Sequence, residues 1–223
     1  MTPFGEPPRA LPIASRIGLV VAALATWWAL QYGAYPAKAR LHRTLMHFDG
    51  PQERFVAHAF TFWLPTTLGY VAVWALLARV GWMPSPAVLL SWGPSRSRTL
   101  RAGLVATAAA LALGSFAVLA SGGPVWHPSP WLMLGNVFSN LYEEIEYRGF
   151  LLLAFRSATR SDAAAVVISS ALFGIVHGPN PVMVIGAGLV GVIFAVAYRS
   201  SGSLAAPWLA HQVSDMVLDT IVA

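Results

Sequence analysis

Four stretches of the chain contain no Asp, Glu, Lys or Arg: residues 17–37, 55–78, 102–142 and 163–198. Each reaches or exceeds the roughly 20 apolar residues that cross a bilayer core. The two longest are interrupted by turn-forming residues, one by Ser121-Gly122-Gly123-Pro124 with Pro128 and Pro130, the other by Gly178-Pro179-Asn180-Pro181. The pattern therefore predicts helices near 17–37, 55–78, 102–120, 131–155, 163–177 and 182–198. A last one starts after Ser200-Ser201-Gly202-Ser203, with Pro207 in its first turn. This is the pattern of an all-α, polytopic integral membrane helical bundle of about seven spans.

The segments between the windows divide the chain into an N-terminal membrane region, 1–101, with two spans and basic loops, and a C-terminal helical core, 102–223, within one membrane domain overall. Residues 38–54 form a polar stretch with Arg40, Arg43 and the turn Asp49-Gly50-Pro51, and have room for a short interfacial helix. Residues 79–101, rich in Pro, Ser and Arg, read as a loop. Ala37-Lys38-Ala39 has the small-residue pattern of a signal-peptide cleavage site. The preceding window is long for such a peptide, carries Trp27 and Trp28, and is followed by further spans, which favours an uncleaved first helix. Ala187, Gly191 and Ala195 recur every four residues, the stripe that lets membrane helices approach closely.

Composition narrows the class. Hydrophobic residues make up 57% and charged residues 10%, against about 25% charged in soluble domains, which excludes a soluble enzyme and a disordered tail. The net charge of +5 comes from basic residues set between apolar windows. They read as topology signals facing anionic membrane lipid, with no nucleic-acid partner. With the N-terminus inside, the inner segments hold Arg9, Arg16, Arg79, Arg96, Arg98, Arg101, Arg156, Arg160 and Arg199, and the outer ones Lys38, Arg40, Arg43 and Arg54. That imbalance favours a cytoplasmic N-terminus. The absence of cysteine removes disulfides, thiolate ligands and a cysteine nucleophile.

Against this background Glu143, Glu144, Glu146, Arg148, His177, His211, Asp215 and Asp219 lie in or beside apolar helices. Each ionisable group at mid-bilayer costs about 2.5–3.5 kcal/mol on insertion scales, so the set needs a reason. Glu144 and Arg148 stand one helical turn apart on one face, acid first. Arg148 then neutralises Glu144 and leaves Glu143, about 100° round the helix, free to act as a base near neutral pH. Phe173 and His177 share that spacing, as do His211 and Asp215. If the three faces converge, a carboxylate base, two imidazoles and a further oxygen meet, which is what water activation for hydrolysis requires. Glu146 reads as facing a wet cavity or the inner surface, and Asp219 as reaching the interface. His42, His47, His58 and His127 lack metal-ligand spacing and read as surface or interface residues. Ser139, Ser169, Ser170 and Ser214 read as packing and hydrogen-bonding serines.

Glu143-Glu144-x-x-x-Arg148, Phe173-x-x-x-His177 and His211-x-x-x-Asp215, the last after Gly202-Ser203-Leu204-Ala205-Ala206-Pro207, resemble in type and order the motifs of the CPBP family, the CAAX proteases and bacteriocin-processing enzymes. The resemblance covers about residues 131–223. It implies an intramembrane endopeptidase of the glutamic type, in which Glu143 activates water with help from His177 while His211 and Asp215 stabilise the oxyanion. Glu144 and Arg148 would hold the first motif in place or shape the charge at the site. Phe173 would contact substrate. Glu146-Tyr147 departs from the family, which usually has apolar or aromatic residues there; the extra carboxylate either makes Glu143 a stronger base or, more weakly, contacts substrate by receiving a basic segment. No cofactor is implied. Two Glu and two His also have the donor chemistry for zinc, and a metallopeptidase reading would use Glu143, His177 and His211.

Asp215 stands where the family often has Asn, and an ionised Asp cannot donate to an oxyanion. Either it is protonated, or it orients His211, which then donates alone. The expected partners are lipid and a membrane-anchored or membrane-proximal protein substrate. Ala, Arg and Pro richness suggests a high-GC bacterial genome and hence the bacterial inner membrane, with a C-terminal sorting tail or peptide leader as substrate. A proton-coupled transporter and a non-catalytic immunity or binding protein are the alternatives. Depth is a difficulty: on straight spans His177 falls about 20 Å from the inner end of its helix and His211 close to the inner end of its own. Tilted or re-entrant helices, or other helix starts, are needed to bring them together.

Overall fold

A computed structural model describes residues 11–45, 56–87, 92–93, 95–120 and 130–222. The described residues are overwhelmingly helical and include no strand. Helix α1 (Ile13–Trp28) passes through a wide π turn (Ala29–Gly33) straight into α2 (Tyr35–Leu45). A second π turn (Ala59–Trp63) opens α3 (Leu64–Arg79), and α4 runs Arg96–Ala120. Helix α5 (Pro130–Glu144) continues through a π segment (Ile145–Leu151) into α6 (Leu152–Thr159). Helices α7 (Asp162–Ile175), α8 (Pro181–Ser201) and α9 (Ala205–Val222) complete the bundle. The turn at Asp49-Gly50-Pro51, the break at residues 121–129, His47, His127 and the side chains of His42 and Asp219 fall outside the described residues.

The helix ends follow from local chemistry. The Ser161 side chain accepts from the Ala164 amide and caps α7, and Asn180 accepts from the Val182 amide ahead of Pro181 to cap α8. Gly202 adopts the left-handed conformation that stops α8. Helix α4 begins at Arg96, six residues before the predicted start. The Ser95 carbonyl accepts from the Thr99 amide at 3.0 Å, and the Thr99 hydroxyl donates to the Trp92 carbonyl at 2.7 Å. Charged residues that end an apolar window thus do not end a helix. Likewise, the polar residues from Lys38 onward extend the first helix.

Among the described residues three helices are long and apolar enough to cross a membrane, Ile13–Leu41, Val56–Arg79 and Pro181–Ser201, and the protein is integral to the membrane. At 14 residues α7 spans about 21 Å, short of a core of about 30 Å.

One cluster of buried side chains joins both halves of the chain, from Leu19, Ala23 and Trp27 of α1 and Tyr70 and Trp74 of α3 to residues 150–155 and Phe173. Helices α7 and α8 meet along the predicted small-residue stripe. A methyl group on Gly174 would fall 2.4 Å from the Val184 carbonyl oxygen, and one on Gly191 would fall 3.2 Å from Phe173 and from Ser170. This close approach seats Phe173 beneath the polar site.

Candidate active site

The wide π segment begins immediately after Glu144 and ends at Leu151. Such segments re-aim the side chains they carry and recur at functional sites. Here it begins between Glu144 and Glu146, and the acids on the two sides of that junction meet different neighbours. Glu144 is fully buried, and its Oε1 pairs with Arg148 Nη1 at 3.1 Å, the predicted one-turn pair. The same oxygen lies 2.9 Å from His211 Nδ1, a contact across 67 residues of sequence that no local spacing announces. Glu144 Oε2 is buried with no hydrogen-bond partner among the described residues.

Arg148 is buried, and its Nη1 faces Glu144 as an ion-pair contact without an aligned hydrogen bond. Its Nη2 donates to the Gly191 carbonyl at 3.3 Å, and its guanidinium lies 4.5 Å from the Phe173 ring centre and 5.3 Å from that of Phe194. A planar cation between two rings is favoured when desolvated.

Glu143 opens outward, with a quarter of its side chain accessible, and so does Asp215 at 28%. His211 Nε2 lies 3.9 Å from Glu143 Oε2 and 3.4 Å from Asp215 Oδ2. The first separation is too long for a direct hydrogen bond, yet one water can touch both atoms. His177 is exposed, and its Nδ1 lies 2.7 Å from the Phe173 carbonyl oxygen. Phe173 itself is buried and stands between the imidazoles, its ring centre 4.6 Å from His177 and 5.9 Å from His211. The two imidazoles thus flank one phenylalanine ring, and the depth mismatch expected of straight spans does not keep them apart.

Hydrogen-bond partners assign the imidazole protons. A carbonyl oxygen only accepts, so His177 carries hydrogen on Nδ1 and, when neutral, presents a lone pair at Nε2. His211 donates from Nδ1 to the Glu144 carboxylate, and its Nε2 also faces carboxylate oxygens, so Nε2 is a hydrogen-bond donor in the imidazolium form. In that form the two imidazoles present opposite polarity to the site.

Glu146 departs from expectation. Instead of facing a wet cavity or the surface, it is fully buried and engaged by the chain's own donors. Gln31 Nε2 lies 2.7 Å from both of its oxygens, and the Tyr70 hydroxyl donates to Oε1 at 2.8 Å. The Tyr142 and Tyr147 hydroxyls are also within bonding reach. Sequence reasoning passed over Gln31 and Tyr70. Gln31, an amide inside a charge-free window, carried the signal.

Asn140 and Gln212, buried beside the site and 3.4 Å apart, were missed as well. The serines behave as packing residues, with Ser214 donating to the Ala210 carbonyl and Ser169 to that of Val166. Among the described residues no group of three or more His, Asp or Glu is arranged to hold a metal ion. Glu143, His177 and His211, the set a metallopeptidase would use, do not form one.

These features define an integral helical membrane protein whose ionisable groups gather at one partly open, aromatic-backed site. Residues 125–217, somewhat less than half of the chain, match the family model of the type II CAAX prenyl endopeptidase Rce1-like proteins, in keeping with the resemblance to the CPBP family. The match takes in all three motifs and indicates a membrane protease. No curated protein and no solved structure matches the chain.

Proposed function

We propose that the protein is an intramembrane endopeptidase of the glutamic type that cleaves a protein substrate at the membrane, a C-terminal sorting tail or a peptide leader. The observation that carries this reading is the arrangement around His211: an accessible Glu143 3.9 Å from its Nε2, and a fully buried Glu144 holding its Nδ1 at 2.9 Å. Glu143 takes a proton from a water that His177 Nε2 helps to orient, and the water oxygen bonds to the scissile carbonyl carbon. The oxyanion so formed accepts a hydrogen bond from His211 Nε2. Collapse breaks the C–N bond, and the proton held by Glu143 passes to the leaving amine. No covalent intermediate and no cofactor enter this sequence.

Topology is read in the same way. Arg16 donates to the Ala158 carbonyl, Arg156 and Arg199 both pair with Asp162, and Gly93, just ahead of α4, packs on the Ser201 carbonyl. The basic residues of α1, α4, α6 and α8 thus gather at one end, which supports a cytoplasmic N-terminus; the bacterial inner membrane is inferred from composition alone.

The test compares the terminal peptides of membrane and secreted proteins in cells expressing wild type or Glu143→Gln at equal levels, read by mass spectrometry. New termini are expected with wild type alone. Equal termini from a folded Glu143→Gln protein would overturn the reading.

A further inference from the structure

The mechanism makes no use of Glu146, a fully buried carboxylate with both oxygens engaged. Glu146 lies two residues beyond Glu144, roughly 200° around the helix, so the two acids face opposite sides of one element. Glu144 meets His211 of α9. Glu146 meets Gln31, in the π turn after α1, and Tyr70 of α3. The network continues outward: Gln31 also donates to the Tyr142 hydroxyl, and Trp27 Nε1 donates to the Tyr147 hydroxyl at 3.4 Å. Lys38 binds the Leu30 carbonyl and the Thr66 hydroxyl at 2.6 Å each.

In hydrocarbon no water replaces a lost partner, and an unsatisfied buried carboxylate is costly. The helix carrying Glu143 cannot turn toward α9 or away from it without breaking one side of this double attachment. Gln31 and Tyr70 both lie outside the 125–217 match.

We propose that Glu146, clamped by Gln31 and Tyr70, is a positioning residue that sets the rotation of the helix presenting Glu143 and Glu144, so that the N-terminal region is part of the machinery of cleavage and more than an anchor. The proposal rests on the peptidase reading for its effect on turnover, but its effect on carboxylate exposure stands apart from that reading.

Two readouts test it on the full-length protein in detergent, with Glu146→Leu, Tyr70→Phe and the conservative Glu146→Gln. The first is labelling by dicyclohexylcarbodiimide, an apolar carboxyl reagent, located by mass spectrometry. Wild type is expected to label at Glu143 and little at Glu144. Glu146→Leu and Tyr70→Phe are expected to raise labelling at Glu144 several-fold at an unchanged amount of folded protein, and Glu146→Gln is expected to stay near wild type.

The second readout is kinetics on the peptide that the wild type cleaves. Since a misplacement of 1 Å costs about 100-fold, kcat per folded molecule should fall by up to that factor in Glu146→Leu and less in Tyr70→Phe, with KM unchanged. Wild-type labelling together with wild-type kcat in Tyr70→Phe, which removes a single oxygen atom, overturns the proposal even if Glu146→Leu does not fold. A rise in KM at constant kcat overturns it too. Glu143→Gln runs alongside: if that variant cleaves normally the peptidase reading fails, whereas the labelling result still decides the clamp.

Discussion

Glu144 and Glu146 sit two residues apart and are both withdrawn completely from the surface, yet they live in opposite environments. Glu144 is surrounded by groups that carry or take up charge, Arg148 and His211, and keeps one oxygen without a hydrogen-bond partner among the described residues. Glu146 is met by neutral donors, an amide and phenols, which engage both of its oxygens. The first environment can answer a change of charge nearby, and the second only holds a shape. One helix thus presents a responsive face to the C-terminal helices and a locked face to the N-terminal ones.

The sharpest way to break this contrast is to remove the cation from the responsive face. Arg148→Met leaves Glu144 buried beside His211 without its guanidinium, and breaking a buried pair by removing one partner costs about 3–5 kcal/mol. It also empties the space between Phe173 and Phe194. A large fall in the thermal midpoint in detergent is expected, with loss of cleavage. Replacing both partners, Glu144→Leu with Arg148→Met, should restore part of the midpoint because no carboxylate is stranded, the remainder being lost with the acceptor of His211 Nδ1, while cleavage stays lost. A single variant with the wild-type midpoint would mean that Glu144 gains nothing from Arg148.

A smaller effect separates the faces by how each is built. The responsive face depends on how closely α7 approaches α8, since that contact seats Phe173 between the imidazoles. Gly174→Ala puts a methyl 2.4 Å from a backbone oxygen, which has no flexible end to move aside, and overpacking of this kind costs about 1–3 kcal/mol. Gly186→Ala, on α8 itself, meets nothing within 4 Å and serves as the control. Thermal midpoints should fall for the first and hold for the second, and cleavage should follow them. Equal midpoints would show that the seam yields and that Phe173 is held by other contacts.

The two faces also differ in how far they were legible. Glu144 with Arg148, Phe173 with His177 and His211 with Asp215 were readable because each pair lies on one helix at one-turn spacing, which periodicity reports directly. The apolar windows likewise revealed the helices and most of their breaks, since proline, glycine and capping residues act locally. The bond from Glu144 to His211 and the clamp on Glu146 were not readable, because they join elements 67 to 115 residues apart and depend on which faces pack. Glu146 was placed beside water on the rule that charge avoids apolar surroundings. The structure satisfies the cost behind that rule with donors drawn from two distant helices. Window edges misplaced the start of α4 for a related reason: Arg96, Arg98 and Arg101 end an apolar run without ending the hydrogen-bonding pattern.

The smallest expected effect falls at the open edge of the responsive face. Asp215 approaches His211 Nε2 at 3.4 Å, while Nδ1 of the same ring is held by the buried Glu144 at 2.9 Å. The orientation of the imidazole therefore has a stronger, desolvated determinant, and the 28% exposure of Asp215 weakens its Coulombic hold further. Asp215→Asn keeps the shape, removes one charge and supplies an amide donor beside the position assigned to the oxyanion. The expected result is a change in kcat within about 10-fold, equivalent to about 1.4 kcal/mol, at unaltered KM and thermal midpoint, with improvement as welcome an outcome as loss. Abolished turnover in a folded Asp215→Asn protein would instead make its carboxylate the group that orients His211. Glu144 would then be left as the partner of Arg148 alone, and the responsive face would centre on its accessible acids.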